Sequence, residues 1–151
     1  MIETPVKHKP TERLAAVVRV ADFCASEPVS VQSEKYVLFV AAESLSVPSE
    51  SVARAWVNAG AAYVCAWGPK APEIEESFDY ASFLPELGTP LSFTLMTTSH
   101  KGHLLSEALW FAFYNAHPPE NLAAILKTVV VVVDSADLEA QCLKWIKENK
   151  E

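Results

Sequence analysis

The densest group of chemically capable side chains is Thr97-Thr98-Ser99-His100-Lys101-Gly102-His103, which sets three hydroxyls, two imidazoles, an ammonium and a glycine side by side. An imidazole beside hydroxyls can act as a general base on a hydroxyl or a water. A glycine and a lysine ahead of a helix start offer backbone N–H groups and positive charge to a phosphate or carboxylate. The ligand-binding candidates are Thr98, Ser99, His100, Lys101 and His103, joined by Glu43, Trp67 and Asp134 at the ends of other apolar runs. The competing reading is plainer: Ser and Thr are ordinary helix caps, and loop histidines are commonly solvated.

More specific chemistries lack their motifs. A Ser99–His100–Asp134 triad can be drawn, yet there is no GxSxG elbow, and adjacent residues cannot easily face one another across a tight loop. His100 and His103 could chelate a metal with Glu43 or Asp134, but no HExxH and no cysteine ligand supports this, so no metal is expected. No GxxxxGK[ST] occurs, and Glu43-Ser-Leu-Ser-Val-Pro48 replaces the glycines of a dinucleotide fingerprint, so no cofactor is expected. A phosphorelay receiver needs an aspartate at the third strand end, where Thr97 and Thr98 stand. No residue is assigned a catalytic role.

These residues need elements to hold them. Tyr36 to Ala42, Ala61 to Trp67 and Thr128 to Val133 are continuous apolar runs, the pattern of strands covered on both faces. Leu91 to Thr97 reads as a further strand. Between them, Ser49 caps a helix that Gly60 stops, and Pro72 with Glu73, Glu75 and Glu76 opens a second. Leu104 to Ala116 is a broad apolar helix ended by His117-Pro-Pro119, residues 121–126 form a short helical turn, and Asp137 to Lys150 is amphipathic. Asp134 is a natural N-cap for that last helix. Trp56, Trp110 and Trp145 are expected to finish the core, and Trp67 to line a pocket or interface.

Strands alternating with helices predict an α/β three-layer sandwich around a short, mostly parallel four-stranded sheet, flavodoxin- or Rossmann-like, in the order 2-1-3-4. Thr11 to Phe23 shows helical spacing at Leu14, Val17, Val18 and Ala21, although its valines also permit a strand. The expected organisation is an N-terminal extension with a helix over 1–35 and a single α/β domain over 36–151. Ligands in such sheets bind beyond the carboxyl ends of the strands, which is what nominates the residues above.

The 151-residue chain is half hydrophobic and carries a formal charge of −7. That is a globular composition, and its acidity argues against a phosphate-tracking surface, so no nucleic acid is expected. Cys24, Cys65 and Cys142 form neither a CxxC nor a zinc pattern, consistent with free thiols in a reducing compartment. Without a secretory h-region or a membrane-length apolar run, the expected location is cytoplasmic, with no membrane association.

Met96-Thr-Thr-Ser-His100, the helix segment Glu107-Ala-Leu-Trp-Phe111 and the step Trp67-Gly68 together resemble a family of small uncharacterised bacterial α/β proteins. That family pairs a Met-Thr-Thr-x-His strand end with a Glu-Ala-Leu-Trp-Phe helix. Ser99 departs from its aromatic preference at x, and the likeness implies no activity. Acidity, compact size and the lack of a strong catalytic motif favour a protein-binding or accessory, immunity-like module, with a partner of basic surface or self-association. The alternative is an enzyme or ligand-sensing domain that holds an anionic small molecule at residues 97–103.

Overall fold

The most apolar segments become the middle of a sheet. In a computed structural model that describes residues 6–23, 27–31, 35–44, 46–116 and 126–148, β3 (Tyr36–Ala41) and β6 (Thr128–Val133) are buried throughout. β4 (Ala61–Trp67) is buried up to its last residue. With β1 (Val6–His8), β2 (Arg13–Arg19) and β5 (Met96–His100) they form one six-stranded sheet in the order β1-β2-β6-β3-β4-β5. Every pairing is parallel except the β1–β2 hairpin.

Alternate residues of each strand point to opposite faces. On one face Leu38, Val40, Val64 and Val132 meet α1 (Glu50–Ala59) and α2 (Ala71–Ala81) through Trp56, Ile74 and Phe78. On the other, Phe39, Cys65, Val129 and Val131 meet α3 (Leu105–Trp110), its continuation to Asn115, and α4 (Ala136–Glu148). The three-layer α/β class is as the alternating pattern implied.

Ser49 caps α1 by accepting the Val52 N–H, and Gly60 ends it at φ 139°, as expected. Pro72 lies in the first turn of α2. At Gly68 the backbone takes φ +122°, and an added Cβ would lie 1.9 Å from the Ala42 carbonyl oxygen. Only glycine fits where β4 passes the end of β3.

Four expectations are corrected. The sheet has six strands, not four, and the described residues of the N-terminal segment form no helical extension. Residues 13–19 are a strand whose Ala15 and Val17 enter one core and Ala16 and Val18 the other. A short buried strand and a helix both satisfy the spacing of Leu14, Val17 and Val18, and pairing of β2 with β6 decides between them. Counting β3 to β6 as 1 to 4, the order is 4-1-2-3 and not 2-1-3-4, because the chain returns from β5 across the sheet and sets β6 on the free side of β3. The strand expected at 91–97 begins at Met96, and Leu91, Phe93 and Leu95 instead pack against the core as a lead-in.

The helix expected over 104–116 is α-helical to Trp110 and continues as a π-helical turn over Phe111–Asn115. Buried Arg13 donates to the carbonyl oxygens of Ala112 (3.1 Å) and Ala116 (3.4 Å) there, satisfying acceptors that a helix end leaves open. Trp56 is fully buried, whereas Trp110 is 46 % exposed and stacks on Tyr114, so it does not finish the core as expected. Cys65 and Cys142 are free and buried. Cys24 and most of the expected turn at 121–126 lie outside the described residues. No described helix is long and apolar enough to cross a membrane.

His8 is fully buried beneath Arg13, stacked on Trp145 with ring centroids 5.2 Å apart and packed on Phe113 and Tyr114. Its Nδ1 lies 2.7 Å from Thr11 Oγ1, while Nε2 has no hydrogen-bond partner among the described residues. Burial first, and then the Arg13 charge, hold its pKa below the ordinary value of 6.5. The unfolded chain therefore takes up this proton before the folded one does. The stability involved is complete above about pH 6.5 and is lost as pH falls from there towards the folded value. His100 acts in the same direction, through burial and then His103. Thermal melts from pH 7.5 to 5 should show Tm falling with acid, and His8→Phe should flatten part of that slope. Gly68→Ala should cost about 3 kcal/mol or more in urea unfolding, through forced φ and overlap with Ala42.

Candidate functional site

The carboxyl ends of the parallel strands share one edge of the sheet. Arg19 and Ala41 both pair with Val133, Ala41 pairs with Trp67, and Trp67 pairs with His100. The nominated residues therefore share this edge, where they fall into two groups.

The first group sits between β3 and β6, where the chain's direction across the sheet reverses. Crossovers on either side lead away from such a point and leave a crevice in which open α/β sheets take ligands. Here Asp134 fills that role from within. Its Oδ2 accepts the N–H of Glu43 at 3.0 Å, the N–H of Ser44 at 2.7 Å and the Ser44 hydroxyl at 3.2 Å. Charge-assisted bonds of this kind are the strong ones. The Glu43 side chain is exposed. Asp134 is not the cap of α4, as was expected; Ser135 is, its Oγ accepting the Leu138 N–H at 3.1 Å.

The second group lies at the ends of β4 and β5. Trp67 Nε1 donates to the His103 carbonyl oxygen at 2.8 Å, which ties the loop after β5 back onto β4. Thr98 and His100 belong to β5 and not to a loop, and Thr98 Oγ1 lies 2.9 Å from His100 Nε2. His100 is buried against Phe111, with its ring 5.6 Å from that of His103. Thr98 is paired in register with Cys65, whose thiol pKa is pushed up to about 12 by burial. A thiol held neutral in this way is no nucleophile. Ser99 is partly exposed on β5, and Lys101 and His103 are exposed around Gly102 at φ +83°.

The start of α3 is also occupied. The free Leu104 N–H donates to Glu107 Oε1 at 3.1 Å, so the chain supplies its own anion there too. Among the described residues no three His, Cys, Asp or Glu side chains gather as metal ligands. None of the nominated residues lines any of three cavities found among the described residues. One of about 580 Å³ lies between α3 and α4, beside Leu105, Leu109 and Trp145. Another of about 710 Å³ lies by Arg13 and Tyr114, and a third of about 320 Å³ by Arg54 and Phe83.

Sequence reasoning placed Ser44 in a strand-end loop but left it out of the ligand-binding candidates, although its N–H and hydroxyl both engage Asp134. It also missed Arg13 and Arg54, buried cations that satisfy backbone carbonyls. Arg54 was detectable: it interrupts the apolar run from Val52 to Val57, where a charge needs an internal partner. It donates to the Ala81 carbonyl oxygen at 3.1 Å and to Asn58 Oδ1 at 3.1 Å, joining α1 to the end of α2.

The segments that carried the likeness noted in the sequence, Met96–His100, Glu107–Phe111 and Trp67-Gly68, all fall within one family match spanning residues 8–149. No curated protein matches the chain. Because that match takes in the sheet from β2 onward, the four described helices and both groups of strand-end residues, the protein belongs to the family described as Domain of unknown function (DUF7684).

Proposed function

We propose that the protein is a binding module that acts by covering a protein partner of basic surface, in an accessory or immunity-like role. One observation carries this reading. Two of the places where a sheet of this kind would take an anionic ligand are filled by the chain's own carboxylates: Asp134 on the amides of Glu43 and Ser44, and Glu107 on the amide of Leu104. A ligand phosphate would have to displace a tethered carboxylate and then meet its charge. The net charge of −7 supplies long-range attraction for a basic protein.

The anionic small-molecule reading keeps one observation in its favour, the exposed Lys101 and His103 on either side of Gly102. A paired experiment separates the two. The tagged chain, used as bait in its source lysate at about 0.15 M salt, should retain one stoichiometric protein that is released as salt shortens the Debye length. In parallel, about 10 mM inorganic phosphate should leave Tm unchanged, whereas a site with Kd of about 0.1 mM would add about 2.7 kcal/mol. A phosphate-dependent rise that His100→Ala and Lys101→Ala abolish, with no protein retained, would overturn the proposal.

Asp134→Ala should destabilise the fold by about 2 kcal/mol in urea, since two N–H donors lose a charged acceptor.

A further inference from the structure

β5 is an edge strand. One side of Met96–His100 pairs with β4. On the other side, the only further backbone hydrogen bond among the described residues is from the His103 N–H to the His100 carbonyl at 3.4 Å. A row of unpaired N–H and C=O groups is a template for another strand, and folded proteins usually blunt such edges with lysine, proline, a bulge or brevity. The opposite edge is treated in that way: β1 has three residues and carries Lys7. β5 has none of these devices. It is five residues of Met-Thr-Thr-Ser-His, in continuous register with β4, with Met96 exposed and Thr97 to Ser99 partly exposed.

What flanks the edge states the charge of its partner. Thr97 Oγ1 donates to Glu75 Oε2 at 3.1 Å and Asp79 Oδ1 at 2.6 Å, so two carboxylates of α2 stand directly over β5. They are one helical turn apart on the same face. Glu73 and Glu76 are exposed on the same helix, and α2 contains neither lysine nor arginine. Two copies of the chain joined antiparallel through β5, about a twofold axis normal to the sheet, would keep both α2 helices on one face. That arrangement sets Glu75 and Asp79 of each copy against the other, so the acidic flank opposes self-pairing and favours a basic strand.

We propose that the outer edge of β5 receives an extended segment of a partner protein carrying alternate lysine or arginine residues, which adds to the sheet as a seventh strand beneath α2. Main-chain hydrogen bonds to β5 supply the pairing, and Glu75 and Asp79 select the charge of every second side chain. This rests on the binding-module reading and names its surface and the chemistry of its partner.

The test uses the full ¹⁵N-labelled chain with three eight-residue peptides: alternating valine and lysine, alternating valine and glutamate, and the lysine peptide with alternate backbone nitrogens methylated. The plain lysine peptide should shift the Met96–His100 amides and slow their exchange. The glutamate and methylated peptides should do neither. Glu75→Gln with Asp79→Asn keeps oxygen acceptors for Thr97 and should weaken the lysine peptide about tenfold. Equal binding of the methylated peptide would show attraction without pairing and overturn the proposal. Concentration-dependent protection of β5 in the chain alone would overturn it in favour of self-pairing. A captured partner that the lysine peptide fails to displace would overturn it while leaving the binding-module reading intact.

Discussion

The architecture depends on β6 being paired along both of its edges. Val129 to Val133 bond in parallel to β2 on one side and β3 on the other, and their side chains are fully buried in both cores. Branched aliphatic residues suit such a position, because a strand covered on both faces has no solvated side to accommodate. Without β6 the hairpin of β1 and β2 has nothing to join, and the two helical layers lose the sheet that separates them. The Asp134 bridge follows from this insertion. It stands one residue beyond Val133, and Ala41 is register-paired with Val133, so the carboxylate emerges level with the amides after β3.

The strand-end edge illustrates how a fold associated with ligand binding can hold its positions without offering them. Open α/β sheets put amides and helix starts where an anion can reach them. In this chain Asp134, Glu107, Ser49 and Ser135 satisfy donors at four of these positions internally, while α2 starts without a side-chain cap. The tryptophan expected to face a ligand anchors a loop through the His103 carbonyl instead. The groups that remain available to a partner include the backbone groups at the edge of the sheet and the carboxylates of α2.

How much of this was legible in the sequence depends on where each segment sits. The central strands declared themselves because burial on both faces leaves an unbroken apolar run, and α1 because Ser49 and Gly60 mark its ends. β2 was obscured because three of its seven residues also match a helical stripe, and its partner lies more than a hundred residues away. β5 was obscured for the opposite reason. An edge strand has little apolar surface to bury, so Thr98 and Ser99 resemble loop residues and were taken for ligand contacts. The nominated residues were placed on the correct edge of the sheet. Their division into two bonded groups was not readable, because it depends on β6 lying beside β3.

The position of β6 also bears on the order in which the chain is assembled. β2 is synthesised more than a hundred residues ahead of its parallel neighbour β6, with three-residue β1 as its hairpin partner until β6 follows. Until then Ala15 to Val18 present apolar side chains on both faces of an unmatched strand. Long-range parallel pairing is slow to form, and strands left waiting are where nascent chains associate wrongly. The polar turn at Lys9 to Glu12 and the arginines at positions 13 and 19, on either side of that segment, give it a charged border during this interval.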